Sequence, residues 1–149
     1  MPAPNALSVA VDMALRQRDD ARRVLQDKRG ARQSAQAQMD QLQGYAQETQ
    51  NRWGVRANAS LAPEVMFHHY QFMDRLNHAM GLQTSVVLDH AGRVEAAQQA
   101  LLAAELRLTS LKKLMEKRLK EAEQAQMRRE QKQTDERAAL QHGRSFTGL

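Results

Sequence analysis

The sequence predicts an all-α protein: two long helices packed antiparallel as a coiled-coil hairpin, the second longer than the first and overhanging it. Three observations predict this class. Aromatic residues make up 4% of the 149 residues, with 3 Pro and 7 Gly, while Gln, Ala, Arg, Lys, Glu and Leu dominate, the composition of a coiled coil or long helix. Apolar residues recur at spacings of three and four through most of the chain, the period of a helical seam. Helix-breaking residues cluster at Gly54, Asn58, Ser60 and Pro63, so one break separates two helices. The length is that of about one domain, and a single hairpin over residues 1–149 is expected.

The first helix is expected over about residues 6–52. Its seam runs Leu7, Val11, Ala14, Arg18, Ala21, Leu25, Lys28, Arg32, Ala35, Met39, Leu42, Ala46 and Thr49. Alanine is frequent there, which lets helices approach closely but buries little. Arg18, Lys28 and Arg32 interrupt it, and their long stems can cover a seam while the charge reaches water. Gly30 lowers helix propensity by roughly 1 kcal/mol relative to Ala, and the helix is expected to continue through it. A linker follows at about residues 53–62, "WGVRANASLA". Ser60 or Ala62 precedes the next helix, with Pro63 at its first position and Glu64 in its first turn, where the dipole favours an acid.

The second helix is expected over about residues 63–140. Its seam is better: Met73, Leu76, Met80, Gln83, Val87, His90, Val94, Ala97, Leu101, Ala104, Leu108, Leu111 and Met115. At 1.5 Å per residue the two helices are roughly 68 Å and roughly 117 Å long. The second therefore overhangs the first, beginning near Leu111, where the seam thins. Residues 141–149 are expected to form a disordered tail.

Charge is placed unevenly. The net +5 divides into +3 over residues 1–60, −2 over 61–110 and +4 over 111–149. If the chain folds back near residue 60, both basic segments meet at one end, suited to an acidic protein surface or nucleic acid. Six acidic residues interleave with the basic ones of 111–149. A nucleic-acid binder favours a one-sided basic stripe instead. Glu116 with Lys120 and Lys117 with Glu121 form i, i+4 pairs of a solvated face.

The chain has no Cys, which excludes disulfides and thiolate metal sites and suits a reducing cytoplasm. The first residues lack the basic start of a signal peptide, and Asp12 interrupts their apolar run. No apolar run is long enough to span a membrane. No phosphate-binding Gly-rich loop and no paired-carboxylate constellation is present. The five His residues show no metal-binding spacing, and His90, on the seam, is expected to help fix register. No enzyme, metal or cofactor is expected.

The stretch "FHHYQFMDRLNHAM" holds three of the six aromatic residues. Met73, Leu76 and Met80 follow the seam. Phe72 and Ala79 each sit one position before a seam residue, about 100° around the helix. Phe72, Leu76 and Ala79, extended by Gln83, form a second row. Such a row either faces a partner, as exposed apolar patches do, or caps the hairpin. Phe67 and Tyr70 add to the same end, where they either pack against Trp53, Val55 and the linker or face a partner.

These residues, with an Ala- and Gln-rich first helix ending in "QMDQLQGYAQE", then "YQFMDRLNHAMGLQ", then "RREQKQTDERA", resemble the FliJ family of flagellar type III export proteins over nearly the whole length. The middle segment is similar to the family's Tyr-x-x-Phe-x-x-x-Leu-x-x-Ala-hydrophobic pattern, with Tyr70 two residues before Phe72 rather than three. The resemblance implies an antiparallel coiled coil like the stalk of rotary ATPases, at the centre of the export ATPase FliI hexamer, whose assembly it promotes. It implies binding to the cytoplasmic domain of the export gate FlhA and to export chaperones, in the cytoplasm and peripherally at the inner membrane of the flagellar base. The gate-binding row carries over to Phe72, Leu76, Ala79 and Gln83, with Gln83 departing at the fourth place. The ATPase-facing part carries over to the end holding both termini: Arg16, Arg18, Arg22 and Arg23 on the first helix, and Lys112, Lys113, Lys117, Arg118 and Lys120 on the second. Two alternatives are an injectisome stalk of the same shape and a basic coiled-coil nucleic-acid binder.

Overall fold

A computed structural model describes residues 5–56 and 62–147. They form two helices, α1 (Ala6–Arg56) and α2 (Pro63–Thr147), with no strand among the described residues. Asn5 caps α1: its Oδ1 accepts a hydrogen bond from the Ser8 amide at 2.7 Å, satisfying one of the free donors of the first turn. Ala62 stands before α2 and its carbonyl accepts from the amides of Val65 and Met66. Pro63 opens the helix, where its missing N–H costs nothing, and Glu64 lies in the first turn. Ser60, the other expected position for this role, lies outside the described residues.

Both helices run past their expected ends. α1 reaches Arg56 rather than residue 52, because Trp53 packs against α2 and holds the last turn (see below). Gly54 has no positive φ; its cost of about 1 kcal/mol relative to Ala does not end a helix with a packed neighbour. α2 reaches Thr147 rather than residue 140. Gly143 is again the only weak helix former up to Arg144, whose charge suits the C-terminal end of the dipole. Of the expected tail, residues 141–147 are helical; residues 148 and 149 lie outside the described residues, as does the linker core, 57–61.

The described residues group into two compact units: the chain up to Arg16 with the chain from Glu105 onward, and Gln17–Ala104. A seam of Ala, Leu and Met one side chain wide buries its residues in short clusters rather than in one core. In the Gln17–Ala104 unit α1 and α2 pack antiparallel. Leu25 is buried with Val94 and Ala97, beside Leu101. Ala46 is buried with Met73 and Leu76, beside Leu42 and Met80. In the other unit Val11 and Ala14 are buried with Leu108, beside Leu15 and Leu111. Leu111 is the last α2 residue so covered. From Lys112 to Ser145 every described side chain is exposed.

The seam follows the 3-4 spacing with two departures. Ala31, not Arg32, is the half-buried residue between Lys28 and Ala35. The smaller side chain enters and the guanidinium stays in water, which spares a buried charge. Met115 is exposed at 37%, since α1 begins at Ala6 and covers α2 only as far as Leu111.

Candidate partner-binding surfaces

In the Gln17–Ala104 unit the row Phe72, Leu76, Ala79, Gln83 is not an outward strip. Leu76 is 6% exposed, inside the Ala46–Met73 cluster. It is the shared member of both rows, and burial claims it. Ala79 is half-buried. Gln83 is half-buried and turned toward α1, its Nε2 donating to the Ala35 carbonyl at 2.8 Å and to Gln38 Oε1 at 3.3 Å. Leu76 and Gln83 are expected on both the seam and the row, and here both serve the seam and hold the hairpin together. Phe72 alone presents a large apolar side chain, 38% exposed.

Phe72 has a neighbour the sequence reading missed. The Tyr45 ring of α1 meets it edge to face, with centroids 5.8 Å apart at 72°, a favoured aromatic geometry. The signal was present: Tyr45 precedes seam residue Ala46 as Phe72 precedes seam residue Met73. In an antiparallel pair those mirrored positions fall on the same side. Beside them Gln38, Gln41, Leu42, Tyr45 and Gln83 line a shallow depression of about 470 Å³ without a charged side chain.

Nearer the linker, Trp53 stacks face to face on His69, centroids 3.8 Å apart and planes 1° from parallel. Tyr70 meets the same Trp edge-on at 6.4 Å, the packed arrangement of its two open readings. Phe67 does not pack there: it is 60% exposed, and among the described residues its ring contact is with His68. The face of Trp53 is covered by His69. The Val55 side chain and residues 57–61 of the linker, the other expected packing partners, lie outside the described residues.

The basic residues of the expected ATPase-facing end divide between the units. Arg18, Arg22 and Arg23 belong to Gln17–Ala104. Arg18 is half-buried on the seam and paired with Asp19 at 2.9 Å; Arg23 approaches Asp20 at 3.9 Å. Their charge is largely balanced locally. Arg16 and the five basic residues of α2 belong to the other unit and are exposed. Lys113, Lys117 and Lys120 share one side of α2 with Glu116, Glu121 and Gln124. Leu114, Met115 and Leu119 are also exposed, at 39%, 37% and 62%. At 100° per residue, Leu111, Met115 and Leu119 fall on the side of α2 opposite Lys113, Lys117 and Lys120.

Among the described residues no three His, Cys, Asp or Glu side chains gather to hold a metal ion. No described helix is long and apolar enough to cross a membrane.

The family model described as "Flagellar FliJ protein" matches residues 4–146. The chain belongs to the FliJ family. Among solved structures this FliJ-family chain is similar to a protein described as a YscO homolog, CT670, from Chlamydia trachomatis, at 21% identity. The match covers 95% of this chain and 94% of that one, with a TM-score of 0.70, and shows a shared fold. No curated protein matches the FliJ-family chain by sequence. Family membership makes this chain a component associated with type III export.

Proposed function

We propose that this FliJ-family protein is the stalk of the flagellar export ATPase. It enters the FliI hexamer through the exposed part of α2, promotes ring assembly, and links the ring to the FlhA gate and to export chaperones at the cytoplasmic side of the flagellar base. One observation carries this reading: from Lys112 to Ser145 α2 leaves every described side chain exposed. Helices in proteins draw most of their stability from packing of one face; this segment has no cover of its own and suits a partner that supplies it. Its apolar side (Met115, Leu119) and its basic row (Lys113, Lys117, Lys120) point in opposite directions. A flat surface meets one of them; a partner that surrounds the helix meets both. The gate-facing surface is assigned to Phe72 with Tyr45, the exposed aromatic pair of the other unit, an anchor of the kind that dominates interfaces.

The test is a titration of FliI with the full chain and with Lys113→Gln/Lys117→Gln/Lys120→Gln. The variant is expected to bind several-fold more weakly at low salt, with the difference shrinking as salt rises. Equal binding at low salt overturns the assignment of the basic row.

A further inference from the structure

Within the Gln17–Ala104 unit the two buried clusters leave a gap. No side chain from Gln26 to Ser34 on α1, and none from Asn77 to Arg93 on α2, is buried. The bond from Gln83 to Ala35 and the packing of Leu25 on Val94 fix the register, so residues 26–34 face residues 84–93. The seam there offers Lys28 and Ala31 against Val87 and His90, all half-buried. His90 Nδ1 is buried without a hydrogen-bond partner, a group that gains when water reaches it.

Both helices carry a glycine in this gap, Gly30 and Gly92. A Cβ at either would meet no atom within 4 Å, and neither has a positive φ. Packing and backbone geometry therefore give no reason for glycine. What remains is its effect on the helix: weaker propensity than Ala and a wider choice of backbone conformations. Three independent features thus lower the cost of local opening at one level: unpaired burial at His90, a seam without buried apolar residues, and a glycine on each helix.

We propose that this level is a flexing point built into the hairpin, where α1 and α2 open and bend together while the Leu25–Val94 and Ala46–Met73 clusters stay packed. Local opening of this kind is drawn from the segments with few buried contacts. The inference rests on the fold and is independent of the stalk reading.

Amide hydrogen exchange of the full chain tests it. Residues 27–34 and 86–93 are expected to exchange faster than residues 18–25 and 94–103 of the same unit. Gly30→Ala with Gly92→Ala is expected to slow exchange in both stretches, by about five-fold per substitution. Gly44→Ala, at another glycine with open space around it, is the control and leaves residues 27–34 unchanged. Uniform protection along the unit overturns the proposal. So does a double variant that leaves exchange unaltered, or a Gly44→Ala chain that slows residues 27–34 as much. All three substitutions favour helix, so none is expected to prevent folding.

Discussion

Phe72 and Leu76 are four residues apart and do different things. Leu76 is buried against Ala46 and Met73. Leu76→Ala removes three carbons from a thin seam and is expected to lower stability by about 2 kcal/mol, the low end for buried Leu because a seam can partly close. Phe72 is partly exposed and meets Tyr45 by its edge. Phe72→Ala is expected to cost about 1 kcal/mol, keep full helicity and weaken gate binding. Urea denaturation with a parallel titration of the FlhA cytoplasmic domain separates the two effects. A Phe72→Ala chain that binds the gate normally contradicts the assignment. His90 supplies the opposite sign. His90→Leu replaces an orphaned buried nitrogen with apolar seam and is expected to raise stability by about 1 kcal/mol, seen as a higher urea midpoint. A lower midpoint would mean that His90 has a polar partner on the seam.

Elements followed from the sequence where one force dominated and departed where two competed. The 3-4 spacing located the seam from Leu7 to Ala46 and from Met73 to Leu111 because burial of apolar side chains dominates there, with Arg18, Lys28, Gln83 and His90 as its half-buried polar members. It misplaced one position, Arg32, because Ala31 competes for the same place without a charge to desolvate. Leu76 belonged to two rows, and spacing by itself does not decide between them. The ends of α1 and α2 were legible only to within several residues. Glycine signals a stop in sequence, but the Trp53–His69 stack holds α1 beyond Gly54, and that contact joins residues far apart in sequence. Asn5 was silent in the sequence reading, yet its side chain caps α1. Asn5→Ala is expected to cost about 1 kcal/mol. The loss would appear as faster amide exchange confined to the first turns of α1; exchange unchanged there would mean that the cap contributes nothing.

At the scale of the whole molecule, two kinds of surface lie in two units. The Gln17–Ala104 unit offers an aromatic pair and an uncharged depression, and the proposed gate binding there is expected to change little with salt. The other unit offers an exposed helix with a basic row, where binding depends on salt. A stalk that joins an ATPase to a gate needs such separation, since each partner is then recognised by different chemistry and one contact can be altered without the other. The paired Arg18 and Arg23 of α1 add little to this field, so the burden falls on α2.

Removing that part of α2 is the most direct measurement of the central claim. A chain ending after Leu111 keeps all three buried clusters and the Phe72–Tyr45 pair. Light scattering of FliI with nucleotide, in the presence of the full chain and of the shortened one, reports ring assembly. The account predicts that the full chain promotes assembly and the shortened chain does not, while both bind the FlhA cytoplasmic domain equally. Assembly promoted equally by the shortened chain would contradict it.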